Sequence, residues 1–435
     1  MGPDLRKKVW FAYAVVLATW ALLSYAKLGE FLIKDIMFAR VIDGRPYISD
    51  FVNVYNGGVL ARRAFTEPIN IYDPTLQEQS ASKLVAPVVA EIPFYLQYPP
   101  HFFVLMLPLS FFSMTGAWIV WVGLGSAMIG LTGWKLTRSY IQGRFPKALF
   151  WIAAFCAYPT WLSYAIGQTT FMLIYPLLWF WLFLRENKGG LAGLLVGFMS
   201  VKLQYSPFLG IIGLVLGKFR FLGTSIFSTI ALIVSAGFVV GRHNIIQYPQ
   251  ALIAGEVGSG VSGVSAFEMQ NLRGELALLF RGDAPEAHLI VAVSAAVTIA
   301  LFVLIWTWIY KRFRQIDNMA FEVLAAICTL LTLLFSPHTH TQDYMLAIIP
   351  YCWLWSWSSQ RLPETSNWRL RTLYSMIIAY PLASWILYIF KILFMQVSVQ
   401  PFFAWNLVLV AIATAEVMTR LKRSMSVSAA DTGPV

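Results

Sequence analysis

Apolar residues in this chain are collected into long runs, and short polar pieces separate them. Many of the runs approach the ~20 residues that a helix needs to cross the hydrocarbon core of a bilayer. The runs lie at about 9–28, 98–113, 116–134, 148–165, 168–184, 190–217, 219–241, 287–309, 319–336, 343–358, 370–390 and 401–420. This pattern predicts an all-α polytopic membrane protein, with a bundle of about twelve transmembrane helices.

The distribution of Lys and Arg predicts the orientation, because cytoplasmic loops of membrane proteins are enriched in both. The run after Lys7 and Lys8 is longer than the apolar part of a usual signal peptide, so we interpret it as an uncleaved first helix with a cytoplasmic N-terminus. In the second half, basic clusters at 218–220, 311–314, 361–371 and 420–423 fall on one face. The loops 242–286, 337–342 and 391–400 then fall on the other.

The first half does not fit simple alternation. The basic clusters at 135–147 and 185–188 both suit the cytoplasm, but alternating spans cannot place both of them there. A segment near 98–113 or 190–217 that enters and leaves on the same side would reconcile the two clusters. The sequence does not choose between these segments.

Two connecting segments are too long for simple turns. The first outer loop, 30–97, contains apolar residues at helical spacing in "DFVNVYNGGVLARRAF" and an Asp-Pro helix start in "DPTLQEQSASKL", so we predict two short helices along the outer membrane surface. The second, 242–286, carries the Gly-rich "GEVGSGVSGVS". We interpret residues 1–423 as one transmembrane domain and residues 424–435, which are small and polar, as a disordered cytoplasmic tail.

Composition supports the membrane interpretation. The chain is 58% hydrophobic and 12% charged, whereas soluble domains carry roughly 25% charged residues. The net charge of +11 would suit nucleic-acid binding in a soluble protein. Here the basic residues lie in short clusters between apolar runs, as in membrane proteins, so no nucleic-acid partner is expected.

Ionisable residues within or beside apolar runs are candidates for function, because a charge in a bilayer interior costs several kcal/mol. Asp50 begins the first predicted surface helix, where it is either an N-cap or a general base facing a membrane-level cavity. Asp73 precedes a proline and suits a cap. Lys202 interrupts "GFMSVKLQYSPFLGIIG", where it either binds a phosphate or marks the outer tip of two short half-helices.

Further polar candidates lie at the ends of spans. His338, His340 and Asp343 in "SPHTHTQDY" suit a metal site, phosphate binding or plain interfacial polarity, and their spacing is weak evidence for a metal. In "QNLRGEL", Asn271 and Arg273 are either phosphate ligands or solvated loop residues. Gln168, in "YAIGQTTF", contacts sugar hydroxyls or caps a helix. No phosphate-binding glycine loop, dinucleotide fingerprint or metalloprotease helix is present in the sequence, and no cofactor or metal is expected.

Six stretches in order resemble glycosyltransferase family 87. They are "SDFVNVYNGGVLARRAFTEPINIYDP", "YPPHFFVLMLPLSFF", "GQTTFMLIYPLLWFWLF", "GFMSVKLQYSPFLGIIGLV", "NLRG" and "SPHTHTQDYMLAIIP". The resemblance implies a membrane enzyme of the GT-C fold that uses a polyprenyl-phosphate sugar, with mannose as the default. It implies a lipid or glycan acceptor and a bacterial cytoplasmic membrane location, with the active site facing outward.

The resemblance also implies roles for individual residues. Asp50 matches the family's aspartate in the first outer loop and is the implied catalytic base of an inverting single displacement. Lys202 and His338 line the implied donor phosphate pocket. The complete candidate set for the donor is Lys202, His338, His340, Gln168, Arg273 and Asn271, and Asp73 and Tyr98 are candidates for the acceptor. The "NLRG" stretch departs from the family pattern, and His340 is an additional histidine to which the resemblance gives no role.

Two other readings compete with the enzyme. A transporter or flippase of a lipid-linked saccharide shares the many helices and buried polar groups, but we find no internal repeat between the two halves. A non-catalytic scaffold of the cell envelope would leave Asp50 and Lys202 without a role. We therefore favour a membrane glycosyltransferase whose partners are a polyprenyl-phosphate sugar, a lipid or glycan acceptor and the membrane lipids.

Overall fold

A computed structural model describes the greater part of the chain and is almost entirely helical. The described residues are 3–34, 39–42, 45–48, 50–86, 96–215, 218–257, 269–279, 318–362, 367–393 and 399–431, with short pieces between 296 and 308. The predicted span at 287–309, the Gly-rich stretch at 258–268 and the basic residues at 311–314 lie largely or wholly outside the described residues.

The first half of the chain contains eleven helices and one small hairpin among its described residues. They are α1 (Pro3–Lys34), β1 (Ala39–Ile42), β2 (Arg45–Ile48), α2 (Asp50–Thr66), α3 (Pro74–Val85), α4 (Pro100–Met106), α5 (Met114–Tyr140), α6 (Arg144–Cys156), α7 (Tyr158–Ile166), α8 (Phe171–Arg185), α9 (Gly189–Met199), α10 (Ser206–Val215) and α11 (Phe219–Val240). The strands pair antiparallel, with Ala39 opposite Ile48 and Ile42 opposite Arg45. This hairpin was not predicted.

The second half continues the bundle. Its helices are α12 (Arg242–Val257), α13 (Leu272–Leu279), α14 (Asn318–Phe335), α15 (Ile348–Arg361), α16 (Trp368–Leu393) and α17 (Pro401–Asp431). Three 3₁₀ segments interrupt the described helices at Leu107–Phe111, Ser200–Lys202 and Thr341–Ala347. The last helix runs to Asp431 and so includes residues 424–431, for which the sequence predicted a disordered tail. No Gly or Pro stands between Arg420 and Asp431 to end it.

Length and hydropathy confirm a polytopic membrane protein. Among the described residues, five helices are long and apolar enough to cross a bilayer, and the bent pair α6–α7 makes a sixth. The bend between α6 and α7 is 51°, at Ala157, whose backbone is extended before a helix that has Pro159 in its first turn. The other apolar helices of this part of the chain are shorter, so several of the twelve predicted segments are not full spans.

One end of the bundle collects basic side chains from both halves, and we call it the basic end. There, Arg185 of α8 bonds Tyr140 at the end of α5, and Ser356 of α15 donates to the Tyr140 carbonyl. Arg420 of α17 lies 5.7 Å from the ring centroid of Trp357 on α15. The described basic residues of this end include Arg185, Lys188, Lys218, Arg220, Arg361, Arg369 and Arg420. Their common location agrees with the single face expected for these clusters.

The segment 189–218 enters from the basic end and returns to it. Lys218 Nζ donates to Asn187 Oδ1, so the two ends of the segment meet. The helices α9 and α11 run parallel: a Cβ on Gly193 would meet the Thr224 hydroxyl, and one on Gly197 would meet Ser228. The intervening helix α10 therefore runs back, and the tip at Ser200–Lys202 joins two short helices, as one of the two readings of Lys202 predicted.

The 98–113 segment also stays at one end of the bundle, opposite the basic end. Arg62 of α2 donates to Ser110 O at 2.6 Å, and Tyr55 of α2 donates to Phe112 O at 2.9 Å. The segment is therefore a short helix and a 3₁₀ turn that pack along α2. With both 98–113 and 189–218 returning to the side from which they start, the basic clusters of the first half lie at one end.

The first outer loop contains the two predicted helices, but α2 is a core element rather than a surface helix. Phe51, Val54 and Leu60 are fully buried or nearly so. A Cβ on Gly58 would stand 2.3 Å from Met106 O, so α2 and α4 touch through backbone. The second long loop is helical at its beginning and in α13, and α12 joins the first loop through Asn244, which accepts from Ile71 N at 3.0 Å.

Candidate active site

The site is built around a buried ion pair between two segments distant in sequence. Lys202 Nζ stands 2.5 Å from Asp343 Oδ1, and the exposed fractions of the two side chains are 6% and 1%. Thr170 Oγ1 donates to the same carboxylate oxygen at 2.6 Å and accepts from Lys202 Nζ at 2.8 Å. The pair therefore holds together the ends of α8, α9 and α15.

Local structure places each member of this cluster. Lys202 ends the 3₁₀ tip between α9 and α10, and Ser200 Oγ lies 3.1 Å from His101 Nε2, which fixes the tip against α4. Asp343 lies in the 3₁₀ segment before α15, where its Oδ2 accepts from the His340 backbone N–H at 3.0 Å. Burial raises the pKa of Asp343, but the Lys202 charge outweighs it and lowers that pKa to about 2. The carboxylate is therefore ionised at neutral pH.

Gln168 connects this pair to Asp50. Its Nε2 donates to Asp50 Oδ2 in a very short contact, and its Oε1 accepts from Lys202 Nζ at 3.5 Å. Asp50 is the first residue of α2 and is half-buried, and Gln168 is 6% exposed. The structure thus brings together Asp50, Gln168 and Lys202, which are three of the residues singled out in the sequence.

A tight turn carries Gln168 to this position. Gly167 has φ +70°, in the left-handed region, and a Cβ there would stand 2.6 Å from Phe51 Cβ. Glycine is therefore needed both for the backbone conformation and for the close approach of α2. Trp121 Nε1 of α5 donates to Gly167 O at 2.9 Å and fixes the turn from the other side.

The two histidines lie beside the ion pair, at its outer edge. His338 Nε2 and His340 Nε2 are 3.1 Å apart, and both side chains are half-buried. Burial, and then the neighbouring His338, lowers the pKa of His340 to about 3, so its ring is neutral at pH 7. Among the described residues, no group of three or more His, Cys, Asp or Glu side chains could hold a metal ion.

Asn271 and Arg273 support the histidine loop. Asn271 Nδ2 donates to Ser336 O at 2.6 Å, and its Oδ1 accepts from Gly274 N at 2.9 Å at the start of α13. Arg273 Nη1 donates to Pro337 O at 3.2 Å. These contacts hold the backbone that leads to His338 and His340, so the two residues touch the site through this loop.

The two acceptor candidates lie in different surroundings. Tyr98 stacks on Phe102 with ring centroids 4.0 Å apart, and its hydroxyl is 3.1 Å from Thr169 Oγ1, directly beside Gln168. Asp73 is the N-cap of α3 and accepts from Thr75 N at 2.9 Å. Among the described residues, Asp73 makes no hydrogen bond or ion pair with Asp50, Gln168 or Lys202, and its position fits the capping role that the sequence suggested for it.

Sequence reasoning did not place Asp343 or Thr170 among the site residues. Asp343 was considered only together with His338 and His340, as part of a metal site, a phosphate-binding loop or plain interfacial polarity. One signal was available, because a buried lysine needs a counter-charge and Asp343 is an acid at the end of an apolar run. Nothing in the sequence distinguishes Thr170 from the many other threonines of the chain.

Comparison with known proteins gives one match. The family model described as glycosyltransferase family 87 matches residues 95–337, which is more than half of the chain. Searches of curated proteins and of solved structures each find no match.

Proposed function

Since this chain belongs to glycosyltransferase family 87, and is therefore a membrane glycosyltransferase, we propose that its donor is a polyprenyl-phosphate sugar, with mannose as the default. The acceptor is a hydroxyl of a lipid or glycan, and the helical bundle is of the GT-C type. The observation that carries the proposal is the contact chain Asp50–Gln168–Lys202. It joins a carboxylate suited to a general base with a buried cation suited to a phosphate.

The reaction is a single displacement. The Asp50 carboxylate takes the proton of the acceptor hydroxyl while the hydroxyl oxygen forms a bond to the anomeric carbon of the sugar. The bond between that carbon and the phosphate oxygen breaks, and polyprenyl phosphate leaves with the electron pair. Attack from the opposite face inverts the anomeric centre, so a β-linked donor gives an α-linked product.

Lys202 stabilises the negative charge that develops on the leaving phosphate. The ammonium has three N–H donors, and these face Asp343, Thr170 and Gln168. An arriving phosphate competes for them, and the 3.5 Å contact to Gln168 Oε1 is the longest of the three. Because the pair is buried, a charge interaction there is stronger than in water. The neutral ring of His340 and the adjacent His338 serve as hydrogen-bonding partners of the phosphate.

The location of the basic end supports a site that faces outward across a bacterial cytoplasmic membrane. Lys and Arg collect on the cytoplasmic side of membrane proteins. Arg185, Lys218 and Arg420 lie at the basic end, and Asp50 and the 98–113 segment lie at the other. With the basic end in the cytoplasm, Asp50 meets donor and acceptor at the outer surface.

The Asp50→Asn variant tests the catalytic base. Purified protein in detergent is incubated with radiolabelled polyprenyl-phosphate mannose and a membrane lipid extract, and transfer of label to lipid is followed by chromatography. We expect transfer to fall by about 10²-fold or more, because asparagine keeps the shape and cannot take the proton.

Asp73→Asn is the matched control, because it changes an aspartate of the same loop at the start of a neighbouring helix. Asparagine caps helices as well as aspartate does, so this variant should transfer at the wild-type rate. Equal transfer by wild type and Asp50→Asn would exclude Asp50 as the base. Absence of transfer by the wild type with mannose and with other polyprenyl-phosphate hexoses and pentoses would overturn the donor class.

A further inference from the structure

We propose that Gln168 is a positioning residue that orients the Asp50 carboxylate and couples it to the occupancy of Lys202, rather than a ligand of the donor. This inference rests on the proposed function, because it assigns Asp50 as base and Lys202 as the phosphate-binding cation. It differs from both roles that the sequence suggested for Gln168, which were contact with sugar hydroxyls and capping of a helix. The reason lies in what the two ends of its side-chain amide touch.

The orientation of the amide is determined by its neighbours. An ionised carboxylate only accepts hydrogen bonds, and an ammonium only donates them. The nitrogen of Gln168 must therefore face Asp50 Oδ2, and the oxygen must face Lys202 Nζ, as the structure has them. No flipped amide satisfies both neighbours, so the side chain has one usable orientation.

The backbone that carries Gln168 is fixed on two sides. Phe51, the residue after Asp50, leaves no space for a Cβ on Gly167, and Trp121 holds the Gly167 carbonyl. The next residue, Thr169, contacts Tyr98, and Thr170 contacts Asp343. Three consecutive side chains thus reach α2, the start of α4 and the 3₁₀ segment before α15. A turn fixed in this way can hold the base to within a fraction of an ångström.

The coupling follows from the count of donors on Lys202. Its ammonium directs its hydrogens to Asp343, Thr170 and Gln168, at 2.5, 2.8 and 3.5 Å. A donor phosphate that takes one N–H replaces the contact at 3.5 Å most easily, because that contact is the longest of the three and does not involve the charged Asp343 carboxylate. The oxygen of Gln168 then loses its partner while its nitrogen remains on Asp50. Phosphate binding at Lys202 therefore changes the hydrogen bonding of Asp50 through the Gln168 side chain.

The pH dependence of sugar transfer is sensitive to the contact between Gln168 and Asp50. The charged and titratable groups described near Asp50 include Lys202 on the tip between α9 and α10, Asp343 before α15 and Tyr98 before α4, with His338, His340 and Lys391 beyond Asp343. Replacing Gln168 by Glu adds a carboxylate against Asp50. A like charge disfavours the ionised form of a neighbouring acid, so a higher pH is needed before the base is deprotonated.

The test compares Gln168→Glu and Gln168→Ala in the polyprenyl-phosphate mannose assay, with kcat and KM for the donor measured from pH 5 to 9. We expect the acidic limb of kcat for Gln168→Glu to move to higher pH by about one unit or more. For Gln168→Ala we expect kcat to fall by about 10²-fold with a change in KM of less than about threefold, because orientation is lost and the donor contacts remain.

Gln77→Glu is the matched control for folding. Gln77 is buried like Gln168, and among the described residues its side-chain amide hydrogen-bonds to the backbone of Ile71 and Leu96 and to no charged group. A loss of folded protein is expected for this variant, without a change in the acidic limb of the remaining activity.

Two results would overturn the inference. One is an acidic limb in Gln168→Glu that coincides with that of the wild type. The other is a Gln168→Ala variant with raised KM and unchanged kcat, which would make Gln168 a donor ligand. Either result with a wild type that is active and dependent on Asp50 removes this inference alone. A wild type whose transfer survives Asp50→Asn removes the proposed function and this inference with it.

Discussion

Among the described residues, two ion pairs join different helices, and they lie at opposite ends of the bundle. At the basic end, Arg185 bonds Glu322, and both touch the hydroxyl of Tyr140. At the other end, Lys202 bonds Asp343, and both touch Thr170. The exposed side-chain fractions are 30% and 11% in the first pair and 6% and 1% in the second.

The surroundings of the two pairs differ more than the pairs themselves. The Arg185 pair is completed by Tyr140, which ends α5, and the described side-chain hydrogen bonds of Arg185 and Glu322 stay among these three residues. The Lys202 pair continues through Gln168 to a second carboxylate, Asp50, on another helix. Burial of an ion pair is therefore weak evidence for function by itself. A buried cation that is one amide away from an additional acid is stronger evidence.

The largest expected losses of stability and of sugar transfer follow from replacing Lys202. Lys202→Met leaves the Asp343 carboxylate buried and unpaired, which costs about 3–5 kcal/mol, and it removes the phosphate-binding cation. We expect strong destabilisation and loss of transfer by about 10²–10³-fold. The double variant Lys202→Met/Asp343→Asn should recover most of the thermal stability in detergent and none of the activity.

Recovery of both stability and transfer in that double variant would contradict the comparison. It would place the Lys202–Asp343 pair in the same structural class as the pair at the basic end. The two readouts are the unfolding temperature of the purified protein and the polyprenyl-phosphate mannose assay.

A smaller loss of stability is expected when the ion pair at the basic end is broken. Arg185→Met removes charged hydrogen bonds to Glu322 and Tyr140, which are worth about 1.5–3 kcal/mol in buried positions, and the partial exposure of Arg185 reduces this value. The double variant Arg185→Met/Glu322→Gln should regain stability and transfer sugar at nearly the wild-type rate. A double variant that is stable but inactive would show that this pair also takes part in the reaction.

The smallest expected effect is a loss of stability from a change in α9, the helix that leads to the tip at Lys202. A Cβ on Gly193 would stand 2.6 Å from Phe221 O on α11, so Gly193→Ala should separate α9 from α11 and lower stability by about 1–3 kcal/mol. Gly223→Ala is the matched control on α11, since nothing lies within 4 Å of its added Cβ. It should be neutral or stabilising by about 0.5–1 kcal/mol. Equal unfolding temperatures for the two variants would argue against close contact of α9 and α11.

The sequence predicted the membrane class well, because apolar run length depends only on local composition. It also singled out Asp50 and Lys202, because a charge beside an apolar run stands out without any structure. It located the two helices of the first loop through the Asp-Pro start and the helical spacing. Burial of α2 was not predictable, because its glycines, which admit α4, look like ordinary helix weakness in the sequence.

The features that the sequence did not predict depend on contacts between distant segments. The ion pair joins residues that are 141 positions apart, and no local pattern relates them. The charge distribution allowed either 98–113 or 190–217 to return to the side from which it starts, and it is packing that makes both segments return. Asn271 and Arg273 were considered as phosphate ligands, because an exposed loop arginine and one that supports a neighbouring backbone have the same local sequence.

The separation of Lys202 from Asp343 has a consequence for biosynthesis. During translation at about 5–20 residues per second, the lysine is made on the order of ten seconds before its counter-ion, and both must leave water together. Until Asp343 arrives, the segment that bears Lys202 has no buried place for its charge and must wait at the membrane surface or in the insertion machinery. Synthesis of the chain as far as Asp343 is therefore the event that allows this segment to enter the bundle. A ribosome that stalls before Asp343 would leave Lys202 without its counter-ion.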